Sequence, residues 1–108
     1  MTSNGMTFSK RDIIVIEFPY SGLLQSKKRP VLILGEKGDD FIVCAITSNP
    51  AVQGVPITFE QDSLPLKSTI KYWQIQTILK NRVERKLARV TKSCFQETLK
   101  KIQELFRE

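Results

Sequence analysis

The sequence predicts a mainly β domain, an open barrel crossed by one C-terminal helix. Three observations lead there. Short β-branched and apolar runs alternate with glycine, proline and acidic turns as far as Val90, the punctuation of successive strands. From Ser93 onward, apolar residues recur at helical spacing. The chain has 108 residues, the size of one domain around one core.

In order, Met1 to Ser9 is polar and reads as a flexible segment, leaving residues 10–108 as the single domain. Asp12 to Phe18 is a β-branched run closed by Pro19, hence a buried strand. Tyr20 to Arg29 is a loop centred on Ser21-Gly22, and Pro30 to Gly35 is the second strand. Residues 36–40 form a hairpin turn with Gly38 available for positive φ. Phe41 to Ile46 is the third strand, paired antiparallel with the second. Pro56 to Glu60 reads as a short edge strand because of its proline. Gln61 to Lys67 is irregular, and Ser68 to Gln76 is a strand. Thr77 to Asn81 suits one helical turn, and part of Val83 to Val90 is the last strand. Ser93 and Gln96 have capping-box spacing at the helix start, and Phe95, Leu99, Ile102 and Leu105 or Phe106 give the helix one apolar face that packs on the sheet.

Seventeen Lys and Arg against eleven Asp and Glu leave a net charge of +6 and a sequence pI near 9.6. This balance favours a polyanion partner, either nucleic acid or an acidic protein segment. The apolar runs are too short to span a bilayer, and the N-terminus lacks the pattern of a signal peptide. Cytoplasm is the expected location. Cys44 and Cys94 are the only cysteines and there is no histidine. Both thiols are expected reduced and buried, with no structural zinc and no cofactor. The missing histidine also removes Ser-His and Cys-His nucleophiles and histidine acid–base pairs.

Two stretches offer chemistry. Lys27-Lys28-Arg29 runs into Pro30 and an apolar strand, so Arg29 is held extended at the strand's mouth. It reads either as a solvated basic turn or as a phosphate-facing fork of donors. Thr47-Ser48-Asn49 reads either as turn chemistry or as a group of hydrogen-bonding side chains where the third strand emerges. If the second and third strands pair through the 36–40 hairpin, Arg29 and Thr47 fall at the same end of the pair as near neighbours. An arginine beside a hydroxyl suits cleavage of RNA, which carries its own 2′-hydroxyl nucleophile, because orientation and charge stabilisation supply most of the rate. The acidic residues are scattered and do not resemble a metal site. Tyr20, Tyr72 and Trp73 suit base stacking, although Trp73 also suits a core or a subunit interface. Arg82, Arg85, Lys86 and Arg89 read as a solvated basic face.

These pieces in this order resemble the MazF/PemK family of toxins from bacterial toxin–antitoxin pairs. The matching segments are Asp12-Ile13-Ile14-Val15 with Phe18-Pro19-Tyr20-Ser21, Lys27 to Leu34, Phe41 to Pro50, Gly54-Val55-Pro56-Ile57, Ser68, Gln74-Ile75, Thr77 and Lys80 to Arg82. The resemblance implies a small SH3-like open barrel of the MazF/PemK/CcdB type, usually a homodimer. It implies a metal-independent, sequence-selective endoribonuclease that cuts single-stranded RNA and is inhibited by an antitoxin with an acidic, disordered tail. The family's catalytic arginine and threonine map onto Arg29 and Thr47. Lys27, Lys28, Ser48, Asn49, Lys71, Gln74, Gln76 and Thr77 are the expected RNA contacts. Departures are Arg11 where the family usually has glycine, Leu24 where some members have glutamate, Gln76 in place of an arginine, and Trp73 where an acid is common. The alternatives are a noncatalytic, CcdB-like toxin that binds DNA gyrase and a basic RNA-binding adaptor.

Overall fold

The structure, a computed structural model, describes residues 7–19 and 26–108. Tyr20, Leu24 and the Ser21-Gly22 centre of the expected loop lie outside the described residues. Among those described, seven strands form one sheet: β1 (Asp12–Pro19), β2 (Ser26–Lys37), β3 (Asp40–Thr47), β4 (Val55–Pro56), β5 (Phe59–Gln61), β6 (Thr69–Leu79) and β7 (Val83–Val90). A single helix, α1 (Lys92–Leu105), follows. The strand order is β4-β6-β3-β2-β1-β7-β5 with antiparallel neighbours throughout. The result is a curled half-barrel with one terminal helix, as the sequence predicts.

The central strands are apolar without alternation because both of their faces are covered. On one face Ile13, Leu32, Cys44, Ile46, Ile70, Ala88 and Val90 pack under Cys94 and Phe95 of α1. On the other, Ile14, Ile16, Val31, Ile33, Phe41 and Val43 pack with Phe8, Ile78 and Val83. Each of these large aliphatic side chains contributes about 1.5–3 kcal/mol by leaving water. Curvature comes from register shifts. The largest is in β6, where Lys71 faces Ala45 but Ile75 faces Cys44, so Tyr72, Trp73 and Gln74 are extra residues. Such insertions bend and twist a strand.

The β2–β3 hairpin turns through Gly38 and Asp39, with Gly38 at φ +58° as expected. Four elements differ from expectation. The second strand begins at Ser26 and not at Pro30, because Ser26 to Arg29, read as the end of a loop, pair with Pro19 to Ile16 of β1, so Arg29 lies within β2 and not at its mouth. The strand read over residues 56–60 is two pieces on opposite edges, β4 on β6 and β5 on β7. The segment thus links the two edges and draws the sheet round. The turn read over residues 77–81 begins later: Thr77, Ile78 and Leu79 stay in β6 because they pair with Ile42, Phe41 and Asp40, and the 3₁₀ turn is Lys80–Arg82. The helix cap is Thr91, whose hydroxyl accepts from the Cys94 N–H at 3.1 Å. Thr91 N–H donates to the Thr58 carbonyl, which fixes it extended at the end of β7, and Ser93 falls inside the first turn.

The N-terminal side of the sheet is tied by charge. Asp12 is buried and accepts from Ser9 N–H at 3.0 Å and from Arg89 at 2.7 Å, with Lys86 at 3.4 Å. Next to Ser9, Phe8 packs on the core. Beside it, Arg11 reaches Glu60 at 2.9 Å. That hydrogen bond holds the Glu60 carboxyl below its ordinary value.

Candidate nucleic-acid interface

The β2–β3 ladder pairs Val31 with Ala45, Leu32 with Cys44 and Ile33 with Val43. Carried two residues further in the same register, it sets Arg29 across from Thr47. Directly opposed residues share a face of the sheet, and alternate residues lie on one side. Arg29 and Thr47 therefore fall on the face of Val31 and Ala45. β6 adds to that face, with Thr69 opposite Thr47 and Lys71 opposite Ala45. The expected contact Lys71 is thus one row from the Arg29–Thr47 pair, and its ammonium is 5.9 Å from the Trp73 ring centre.

Thr47 ends β3, and its side-chain oxygen accepts the Asn49 N–H at 3.1 Å. The Asn49 side chain in turn accepts the Ala51 N–H at 3.0 Å. These local bonds fix the polar turn after the strand. They also occupy one acceptor site of the Thr47 hydroxyl and leave its proton to be donated elsewhere.

Arg29 and Thr47 border a cavity of about 560 Å³, a size usual for ligand clefts. Lys28, Ser48 and Ser68 line it with them. Its apolar lining is Val15, Pro30, Ile46 and Leu87, together with Leu64 to Leu66 from the segment between β5 and β6. By alternation, Lys28, Pro30, Ile46 and Ser48 belong to the opposite face from Arg29 and Thr47. The cavity takes in residues of both faces at the margin of the sheet where β3 ends.

The structure brings Lys28, Arg29, Thr47 and Ser48 together, with Asn49 next along the chain. Nothing is described of the Lys27 side chain. Gln74 is in the β6 insertion and is exposed. Gln76 and Thr77 pair with Val43 and Ile42, four and five residues from Thr47, or roughly 13–17 Å at about 3.3 Å per residue. They lie outside this cavity. Trp73 is not a core residue, being 44% exposed, and it packs edge-on against Tyr72 at 5.0 Å. Arg85, which the sequence places on a solvated basic face, lines the cavity from β7. In the sequence it is one cation of a basic run, and only the β1–β7 register singles it out.

Among the described residues, no group of three or more His, Cys, Asp or Glu side chains is placed to hold a metal ion. No helix among them is long and apolar enough to cross a membrane. Both cysteines are free and buried. Burial, with Cys94 nearby, pushes the Cys44 thiol up to about 12.

The sheet is a half-barrel with one terminal helix, and Arg29 and Thr47 line the cavity at its margin. Residues 9–106 match the family model of PemK-like, MazF-like toxins of type II toxin–antitoxin systems, and the chain belongs to that family. The fold is similar to that of an endoribonuclease solved in complex with its cognate antitoxin from a mycobacterial species. The TM-score is 0.67 at 14% identity, over 94% of this chain and 100% of that one. No curated protein matches the chain.

Proposed function

We propose that this toxin is an endoribonuclease that cuts single-stranded RNA at selected sequences, without a metal, by attack of the substrate's own 2′-hydroxyl. The carrying observation is the placement of Arg29 across from Thr47 at the edge of a nucleotide-sized cavity. The 2′-hydroxyl loses its proton to solvent as its oxygen attacks the adjacent phosphorus, the bond to the 5′-oxygen breaks, and that oxygen takes up a proton from solvent. The products are a 2′,3′-cyclic phosphate and a free 5′-hydroxyl. The Arg29 guanidinium, which stays charged at neutral pH, meets the negative charge that builds on the phosphorane oxygens. Thr47 donates its hydroxyl proton to a phosphate oxygen. A threonine hydroxyl already accepting an N–H is a poor base, so its role is positioning.

The partners follow from charge and surface. A chain of net charge +6 suits an antitoxin with an acidic, disordered tail that competes with RNA. Trp73, Ile75 and Leu79 are exposed apolar residues on β6 and suit a homodimer contact.

The test is incubation of purified protein with a long single-stranded RNA in EDTA, followed by mapping of the ends. Cyclic phosphate termini at defined sites are expected, and deoxyribose at the cut nucleotide should abolish cleavage. Arg29→Ala should lose about two to three orders of magnitude in rate, with Arg29→Lys restoring only part. Thr47→Ala should lose less. Full activity in Arg29→Ala would remove Arg29 from the site. Inhibition of DNA gyrase with no RNA cleavage would replace this reading with that of a binding toxin.

A further inference from the structure

The cavity holds more than the proposed cleavage pair needs. Resting on the RNA-cleaving reading, we propose that Arg85 is a second phosphate anchor, which binds the phosphate next to the scissile one and seats the intervening nucleotide in the cavity.

Three observations carry this. First, the register places Arg85 where it must face the cavity. Val15 of β1 is opposite both Pro30 of β2 and Arg85 of β7, so the three form one row on one face, and all three line the cavity. With strands about 4.8 Å apart, the Arg85 backbone is roughly 10 Å from that of Pro30, the residue after Arg29. Arg85 leaves the face opposite to Arg29, and the two meet at the margin of the sheet, where the cavity takes in residues of both faces; a strand laid across that margin can set successive phosphates against the two guanidiniums.

Second, Arg85 is exposed and uncommitted. Of the basic residues on β7, Lys86 and Arg89 are held by Asp12. Arg85 has no carboxylate partner or hydrogen bond among the described residues. Lys28, the other cation lining this part of the cavity, is paired with Glu84 at 3.0 Å. The charge available to a phosphate on this wall is therefore that of Arg85.

Third, the cavity that both arginines line is apolar in part. Val15, Leu64 and Leu87 line it, and Leu66 stands at 65% exposure. An exposed leucine beside a charged groove gives the face of a base an apolar contact, while the phosphates on either side meet donors. The pattern of cation, apolar surface, cation matches one nucleotide of a single strand.

The experiment uses an RNA oligonucleotide spanning a cut site mapped with the wild-type protein. Cleavage is measured for wild type, Arg85→Ala and Arg85→Lys across a salt series, with thermal melting as the folding control. Arg85→Ala should lower kcat/KM about tenfold to a hundredfold, mainly through KM. It should also reduce the slope of log(kcat/KM) against log[salt] by about 0.7, the value of one lost phosphate contact on a single strand. Arg85→Lys should restore most of the salt slope. A series of oligonucleotides, each carrying one neutral methylphosphonate, should contain one position adjacent to the cut that weakens the wild type and leaves Arg85→Ala unaffected. If the wild type cleaves and Arg85→Ala keeps its KM and salt slope, the anchor is wrong while the endoribonuclease reading stands. The anchor is also wrong if no adjacent methylphosphonate distinguishes the two proteins. A wild-type protein that neither cleaves nor binds RNA overturns both.

Discussion

Lys28 and Glu84 form a 3.0 Å ion pair that reaches from β2 over β1 to β7. Both side chains are partly exposed, at 64% and 33%, so the pair adds at most about 1 kcal/mol to stability. Its larger effect is on the proposed RNA surface, where it offsets the charge of a residue that the sequence alone offers as a phosphate contact.

Glu84→Gln should therefore tighten RNA binding. Removing one negative charge within several ångströms of a phosphate is worth about 0.5–1 kcal/mol in a solvated site, or roughly threefold in affinity. The gain should fade as salt is raised. Fluorescence anisotropy with a single-stranded RNA carrying deoxyribose at the cut nucleotide measures it. Unchanged affinity at low salt would mean that Lys28 does not approach the RNA.

Arg11 occupies a left-handed backbone position, φ +82°, that glycine accepts without strain. The position is enforced from both sides: Arg11 N–H donates to the Ile33 carbonyl, and the Arg11 carbonyl accepts from Val90 N–H, each at 3.0 Å. The bonds of the side chain to Glu60 and to the Val90 carbonyl offset that strain. Arg11→Ala loses those bonds and keeps the strain, whereas Arg11→Gly loses the bonds and relieves it. Arg11→Gly should be the more stable of the two by about 1 kcal/mol, the reverse of the usual order. Urea denaturation of both variants checks this, and an alanine variant as stable as the glycine one would show that the strain is negligible.

Much of this fold was legible because the local signals agree with the tertiary ones. The continuous apolar runs in β1, β2 and β3 report burial on both faces. Gly38 marks the turn that brings Arg29 and Thr47 to the same end of the β2–β3 pair, but the register shift between Ile33 and Gly35, which sets the two directly opposite, has no local signal. What was not legible depends on long-range pairing. Residues 56–60 look like one strand, and nothing local says that the two ends of this segment join opposite edges. Ser93 and Thr91 are both competent caps, and the tie between Thr91 and Thr58 decides between them. Arg85 differs from Lys86 only through the β1–β7 register, which turns one toward Asp12 and the other toward the cavity.

Cys44 gives the protein a weakness at alkaline pH. Its thiol rises from an ordinary 9.0 to about 12 in the fold because burial disfavours the thiolate, and Cys94 is raised for the same first cause. A folded value above the unfolded one means that the contribution is fully present below about pH 9. It is lost as pH rises, because the unfolded chain ionises first. Between about pH 9 and 12 Cys44 should remove up to about 1.4 kcal/mol per pH unit. Cys44→Ala should be less stable than wild type at pH 7, since it opens a small cavity, yet should lose less stability between pH 9 and 11. Chemical denaturation across that range measures both slopes, and parallel slopes would mean that Cys44 ionises as readily in the fold as out of it.

Gly54 marks a close backbone approach at the β4 edge. A Cβ placed there would be 2.2 Å from the Ile70 carbonyl oxygen and 2.9 Å from its carbon. Both belong to β6, and Val55 next to Gly54 is buried opposite Ile70. The backbone of Gly54 does not need positive φ, so the obstacle to a side chain is contact and not conformation. Gly54→Ala must push β4 off β6 and disturb the packing of Val55, at a cost of about 2 kcal/mol or more. For a domain of this size the melting temperature should fall by about 10 °C. Gly35 provides the matched control, because a Cβ there meets nothing within 4 Å. Gly35→Ala should be neutral or stabilise by a few tenths of a kcal/mol, through the reduced entropy of the unfolded chain. Thermal melts of the two variants beside wild type decide the matter: a Gly54→Ala protein that melts with wild type would show that β4 can leave β6 without loss, and that the edge-to-edge link through residues 55–61 does not hold the sheet in its curl.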